Sequence, residues 1–184
     1  MSKQQQAPGE LELVREFVNT VDLDDGPELL NEPSDLVAWL VDRGLAPAGL
    51  RATDADLARA VAVREALRAV LFAHNGGPPP PEPTLATLDD VSCRADVRLR
   101  FGRDEIATLE PKAAGVDGAL GRILAVVHDS IATGTWERLK ACRRDECEWA
   151  FYDHTKNRSG AWCNMGVCGN RAKARAYRER HAAS

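Results

Sequence analysis

Four of the five cysteines in this 184-residue chain fall within 27 residues of one another, as Cys142-x4-Cys147, fifteen intervening residues, and Cys163-x4-Cys168. Two loops that each offer two thiolates can meet at one ion, and zinc prefers such a set as a closed tetrahedron with about 2.3 Å per Zn–S bond. A site with four protein ligands has no open position, so its role is structural rather than catalytic. The other reading is four reduced thiols in an apolar core, since free cysteine is often buried as a small hydrophobe. Two identical intervals, with a segment between them rich in Asn, Gly, Lys and Arg and too poor in apolar residues to fold unaided, favour the metal. Cys93 has no partner at such a spacing and is expected as a buried thiol, and His154 is expected outside a ligand set that the cysteines already complete.

A basic segment follows the last cysteine: Gly169-Asn170-Arg171, then Ala172 to Arg180 with Lys173, Arg175 and Arg178. It reads as a helix, with Gly169 permitting a tight turn out of the metal knuckle and Asn170 as N-cap. The positive end of the helix dipole would then face the metal, where a phosphate could dock. Arg171, Arg175 and Arg178 follow i, i+4, i+7 spacing and share one face, suited to a nucleic-acid backbone. A solvated terminal helix is the plainer alternative. The charge distribution supports the first reading. Residues 136–184 hold eleven Lys/Arg against six Asp/Glu, whereas residues 1–135 hold 13 against 22, so a basic surface is joined to an acidic body.

The elements that must carry these groups are mostly helical. Leu11, Val14, Phe17, Val18 and Val21 recur at helical spacing until Asp22, Asp24, Asp25, Gly26 and Pro27 stop them. Ser34 and Asp35 offer an N-cap for a short helix that Gly44 ends, and Thr53 with Asp56 opens the longest early helix, which Asn75-Gly76-Gly77 terminates. The run GGPPPPEP at 76–83 predicts an extended surface loop, and Thr84 to Val91 a further short helix. Val97, Leu99 and Phe101 alternate with Arg98 and Arg100 as in a half-buried strand. A turn over 102–105 and the apolar Ile106 and Leu109 would complete one hairpin, and strands are expected nowhere else. Helical spacing returns from Gly118 to about Leu139.

No apolar stretch approaches the roughly 20 residues that cross a bilayer, and the first residues lack the apolar region of a secretory signal, so a cytoplasmic protein without membrane contact is expected. Nothing resembles a nucleophile elbow, P-loop, dinucleotide fingerprint or H-E-x-x-H, so no catalytic centre is nominated and the protein is not expected to be an enzyme. In the body, Asn19 and Arg64 are candidate ligand-binding residues, because an amide and a guanidinium facing one pocket would suit a small anion. Their structural alternative is a backbone bond at a helix end for Asn19 and an acidic neighbour for Arg64.

Cys168-Gly169-Asn170-Arg171 resembles the signature of the CGNR zinc-finger proteins. The resemblance extends over Cys142-x4-Cys147, Trp149, Phe151-Tyr152-Asp153, Asn157-Arg158-Ser159, Trp162-Cys163 and Ala172-Lys173-Ala174-Arg175. That family pairs the finger with an N-terminal domain called ABATE, whose motifs Phe17-Val18-Asn19-Thr20 and Arg64-Glu65-Ala66-Leu67-Arg68 resemble. The resemblance implies DNA binding by the finger and a role in stress-induced transcription regulation. Gly160-Ala161 departs from the family by removing positive charge before Trp162, which implies fewer phosphate contacts. The expectation is therefore an α+β chain: a mainly helical ABATE-like domain with one β-hairpin over 1–135, and a CGNR-type zinc module ending in a helix over 136–184. The module would hold Zn2+ and meet DNA through Arg158, Asn170, Arg171, Lys173, Arg175 and Arg178, while the body senses a small-molecule ligand or forms a homodimer. A zinc-stabilised protein-interaction adaptor and a zinc-thiolate redox sensor are the alternatives.

Overall fold

Thr53 and Asp56 begin the longest helix as the spacing predicts: the Asp56 backbone N–H donates to Thr53 Oγ1 at 3.2 Å, and the Asp56 carboxylate accepts from the Thr53 backbone N–H at 2.8 Å. This helix runs Asp54–His74 and is the third of six α-helices among the described residues. The computed structural model describes residues 6–24, 26–103 and 107–182. The order is α1 (Leu11–Val18), α2 (Pro33–Asp42), α3 (Asp54–His74), α4 (Glu82–Arg94), β1 (Val97–Phe101), β2 (Ala107–Pro111), α5 (Gly115–Ala132), β3 (Leu139–Ala141), β4 (Ala150–Tyr152) and α6 (Asn170–Ala182). A 3-10 turn at Trp136–Arg138 enters β3, and a π-helical turn at Met165–Gly169 enters α6.

Several boundaries differ from the expected ones for local reasons. Helix α1 stops at Val18 with Asn19 as its C-cap, so Val21 lies outside it, in an isolated antiparallel bridge to Glu28. Helix α2 is capped by Glu32 rather than Ser34; Pro33 fills the first helical position and Asp35 closes the capping box. Helix α5 ends at Ala132 because the chain turns at Gly134, whose φ of 69° is left-handed. Leu139 therefore belongs to a strand.

The expected hairpin forms, β1 antiparallel to β2 with Leu99 opposite Leu109. The strand is not half-buried, however: Leu99 is 55% and Phe101 73% exposed. Ile106 and residues 104–105 of the turn, like Asp25, lie outside the described residues. Cys93 is exposed near the end of α4, which corrects the expectation of a buried thiol. A second hairpin, β3 antiparallel to β4, was not foreseen. Its strands have three residues each, too few to display a period, and all are buried.

This second hairpin joins the finger to the body. The main core takes Leu11, Val14, Phe17, Leu36, Leu40, Leu67, Leu71, Leu120 and Ile123 from the helices, and Trp136, Leu139, Ala141, Ala150 and Tyr152 from the segment around β3 and β4. Packing is thus continuous across residue 135. Polar bonds reinforce it. The Asn19 side chain donates from Nδ2 to the Ala150 carbonyl at 2.9 Å and accepts the Ala150 N–H at 2.8 Å, acting as one rung of a ladder alongside β4. Asn75, the C-cap of α3, donates to the carbonyls of Ala141 and Ala161 at 2.7 and 2.9 Å. Buried Arg68 donates to the Val18 carbonyl at 2.7 Å and the Glu148 carbonyl at 3.1 Å.

Because Asn19→Ala would leave the buried N–H and C=O of Ala150 without these partners, it should lower unfolding stability by about 2–4 kcal/mol. Urea unfolding of the zinc-loaded protein checks this, and a change below about 0.5 kcal/mol would mean that the amide is dispensable to the seam.

Candidate metal centre and basic groove

The two cysteine pairs converge. Cys142 follows β3 and Cys147 precedes β4, so the hairpin loop carries the first pair, while Cys163 and Cys168 flank the entry into α6. All four Sγ atoms lie within 4.8 Å of one another. Three of the separations are 3.7 Å (Cys147–Cys163), 3.6 Å (Cys163–Cys168) and 3.7 Å (Cys147–Cys168). A disulfide would need about 2.05 Å. Sulfurs each about 2.3 Å from a central zinc in a tetrahedron stand about 3.8 Å apart, so the observed cage has the dimensions of a zinc tetrathiolate.

Surroundings suit that ion. Cys142, Cys147 and Cys168 are buried, Cys163 is partly so, and Trp149 and Trp162 pack against them. The Cys142 thiol is held far below its usual range, at about 4, first by sulfur hydrogen bonds from Cys147 and Cys163 and further by the backbone N–H groups of Arg144 and Cys163. Cys163 is pushed strongly upward, by the hydrogen bonds to Cys142 and Cys147 and then by burial and by the negative charge beside it. One thiolate is therefore stabilised and a second is repelled, and a divalent cation is what allows all four to ionise together. His154 lies outside this cluster, with Nε2 2.9 Å from the Gln6 carbonyl.

The Cys-Gly-Asn-Arg run is divided among four different tasks. Cys168 supplies a sulfur. Gly169 does not serve a left-handed turn: a Cβ there would stand 2.5 Å from Met165 Sδ and 3.1 Å from Trp162 Cδ1, so glycine admits the tryptophan against the helix. Asn170 is not the N-cap. Its Nδ2 donates back to the Gly166 carbonyl at 2.9 Å, and the cap is Asn164, whose Oδ1 accepts the N–H groups of Gly166 and Val167 at 2.8 and 3.2 Å. The helical path thus begins a turn and a half earlier, and its first N–H groups are already engaged by a side chain rather than held open for a phosphate. Arg171 Nη1 reaches the body, 2.9 Å from Asp24 Oδ2.

The loop from Asp153 to Gly160 is shaped by a buried ion pair that sequence reasoning missed. Lys140 Nζ donates to Asp153 Oδ2 at 2.7 Å and to the carbonyls of Arg158 and Gly160 at 2.6 and 3.2 Å. Asp153 also accepts from the Thr155 N–H and hydroxyl and from the Gly160 N–H. A lysine two residues before a cysteine and an aspartate inside a motif gave a signal, but only the β3–β4 register shows that they meet.

Arg171, Arg175 and Arg178 do share one face, as their spacing predicts. Together with Arg143 and Arg144 from the first cysteine loop, they line a groove of about 430 Å3 beside Trp162. Lys173 and Asn170 do not line it. Arg158 stands apart on its own loop, 2.5 Å from Glu137. Arg175 lies 3.0 Å from Glu179 and 3.5 Å from Glu146. Among the described residues, Lys173 and Arg178 are exposed and have no carboxylate within ion-pair distance.

The two body candidates are placed differently from a ligand site. Asn19 spends its amide on Ala150. Arg64 is 3% exposed and already neutralised, donating to Glu28 Oε1 and Glu65 Oε1 at 2.7 Å each and to Thr20 Oγ1 at 3.2 Å. A small anion would have to displace two carboxylates, so both residues serve the frame.

A helical body to which a cysteine-held zinc module is packed by a shared hairpin defines a two-part protein of the zinc-finger class. Residues 11–136 match the family model ABATE, described as "putative stress-induced transcription regulator", and residues 138–181 match the CGNR zinc finger. The chain belongs to the ABATE family and carries a CGNR zinc finger. A comparison with curated proteins found no match.

Removing zinc with a chelator should release the loop from Cys142 to Cys147 and the chain from about Cys163 onward, including α6, while the core that holds Leu139, Ala150 and Tyr152 stays folded. Amide exchange by NMR reads both regions, and a tail that keeps its protection without metal would contradict the assignment. Acid offers a separate check. Burial raises the Asp153 pKa, but hydrogen bonds from Lys140, Thr155 and Gly160 outweigh it and hold the carboxyl at about 2, below its ordinary 3.8. Its contribution is thus fully present above the unfolded value and lost as pH falls from about 4 towards 2, worth about 2 kcal/mol. Asp153→Asn should remove that part of the acid sensitivity.

Proposed function

We infer that the protein is a DNA-binding transcription regulator whose finger grips the phosphate backbone through the groove of Arg143, Arg144, Arg171, Arg175 and Arg178, with Trp162 at its wall. The single observation that carries this reading is that five guanidinium groups from two separate segments line one groove, outnumbering the carboxylates of Asp145, Glu146 and Glu179 there, on the part of the chain whose charge opposes that of the body. Guanidinium groups are suited to bidentate contact with phosphate, and an apolar indole wall suits stacking or sugar contact. Lys173, exposed on α6, adds a peripheral contact, Arg158 adds one from its separate loop, and Asn170 contributes by fixing the helix start.

The zinc is held by four sulfurs and offers no open position, so its part is to supply folding energy and orientation, and the protein acts by binding rather than by catalysis. Reduced thiols of this kind persist in the cytoplasm. The body supplies sensing or dimerisation. The exposed Leu99 and Phe101 of the first hairpin support a partner-binding role for it, and no described helix is long and apolar enough to cross a membrane.

The test is duplex binding followed by fluorescence anisotropy across salt. Arg175→Ala with Arg178→Ala should weaken affinity about tenfold or more and flatten the logarithmic salt slope by about 2, since each lost phosphate contact removes about 0.9. Equal binding by parent and double variant, or binding only to acidic proteins, would favour an adaptor.

A further inference from the structure

The loop between α1 and α2 reaches the arginines of the zinc module through Asp24. Its ends are tied by the Val21–Glu28 bridge, and the Asp24 N–H donates to Asp22 Oδ1 at 3.1 Å, an Asx turn that presents the Asp24 carboxylate outward. One oxygen of that carboxylate, Oδ2, accepts from Arg144 Nη2 and from Arg171 Nη1, the latter at 2.9 Å. The two arginines come from different cysteine pairs, one after Cys142 and one after Cys168. The Arg144 side chain is only 12% exposed, and its Nε has no hydrogen-bond partner among the described residues. A fork of one largely covered arginine, Arg144, and one exposed arginine, Arg171, that converges from two zinc knuckles on one oxygen has the geometry with which proteins hold a phosphate oxygen.

We propose that the Arg144–Arg171 fork is a phosphate site of the finger and that Asp24 of the body fills it as an internal competitor, so that a nucleic-acid phosphate must displace this carboxylate to engage the groove. The proposal deepens the DNA-binding reading and rests on it for the identity of the phosphate. Both arginines line the groove already described, so the fork marks its body-side end. Displacing Asp24 would also free the α1–α2 loop from the finger. Contact with nucleic acid would thereby be felt in the body, and any event in the body that withdraws the loop would open the site.

The experiment compares wild type with Asp24→Asn, both zinc-loaded, in two assays. Duplex binding is measured by anisotropy across salt, and inorganic phosphate is titrated while the Arg144 and Arg171 side-chain Nε–H signals are followed by NMR. Removing a carboxylate that holds two guanidinium groups should tighten duplex binding about three- to tenfold and steepen the salt slope by about 1, and phosphate should shift both arginine signals in the variant at lower concentration than in wild type. Arg171→Ala in the Asp24→Asn background should cancel the gain. Duplex binding that is unchanged or weaker in Asp24→Asn, with arginine signals indifferent to phosphate, overturns the proposal and makes Asp24 a structural clamp, while leaving the DNA-binding reading intact if wild type still binds. Phosphate shifts without duplex binding by either protein would support the fork as an anion site and refute the DNA reading. Asp24→Ser serves as the second variant should Asn retain the contact, and the fold of each is checked by its zinc content.

Discussion

Four sulfurs within 4.8 Å of one another, three of them 3.6–3.7 Å apart, and packed against two tryptophans, are a charge problem before they are a fold. As thiols they leave hydrogen-bonding capacity poorly used, and as thiolates they repel one another in a site that excludes water. A divalent cation resolves both at once, and each groove residue depends on that resolution. Arg143 and Arg144 follow Cys142, Arg171 follows Cys168, and Trp162 precedes Cys163. Neither cysteine loop has apolar residues enough to hold these groups in place by itself.

The finger is nonetheless not a freestanding bead. Its hairpin lends Leu139, Ala141, Ala150 and Tyr152 to the body's core, and the amides of Asn19 and Asn75 close the seam against the backbone of Ala150, Ala141 and Ala161. The division of labour is therefore uneven: the body fixes where the hairpin sits, and the metal fixes what the hairpin's loop and α6 do. This arrangement sets a basic groove at a constant attitude to an acidic partner on the same chain. Asp24 of the body lies against Arg171, and the finger's own Glu137 and Glu146 lie against Arg158 and Arg175. Surface pairs of this sort add little stability, but they lower the charge that a distant polyanion meets.

The metal centre and most helices were legible in the sequence, because cysteine spacing and apolar periodicity are local signals. The capping box of Thr53 and Asp56 and the period of Leu57 to Leu71 were sufficient for α3. Features that depend on a distant partner were not. The strands β3 and β4 are too short to show alternation, and their pairing is decided by the core they enter. Gly169 and Asn170 have the residue types of a turn and a cap, yet Trp162 and the earlier cap at Asn164 give them other work. Cys93 is exposed because α4 buries only Val91. Asn19 and Arg64 are an amide and a guanidinium that would suit a small anion, and in sequence a ligand site and a satisfied internal joint look alike. Only the partners, Ala150 for the first and Glu28 and Glu65 for the second, separate the two.

The most direct measurement is X-ray absorption at the zinc edge of the protein as purified, with total metal counted in the same sample. One zinc per chain and a first shell of four sulfurs at about 2.3 Å would agree with the cage of Cys142, Cys147, Cys163 and Cys168. A shell containing nitrogen or oxygen, fewer than four sulfurs, or cysteines recovered as disulfides would contradict it, and the pose assigned to the basic groove would lose its foundation.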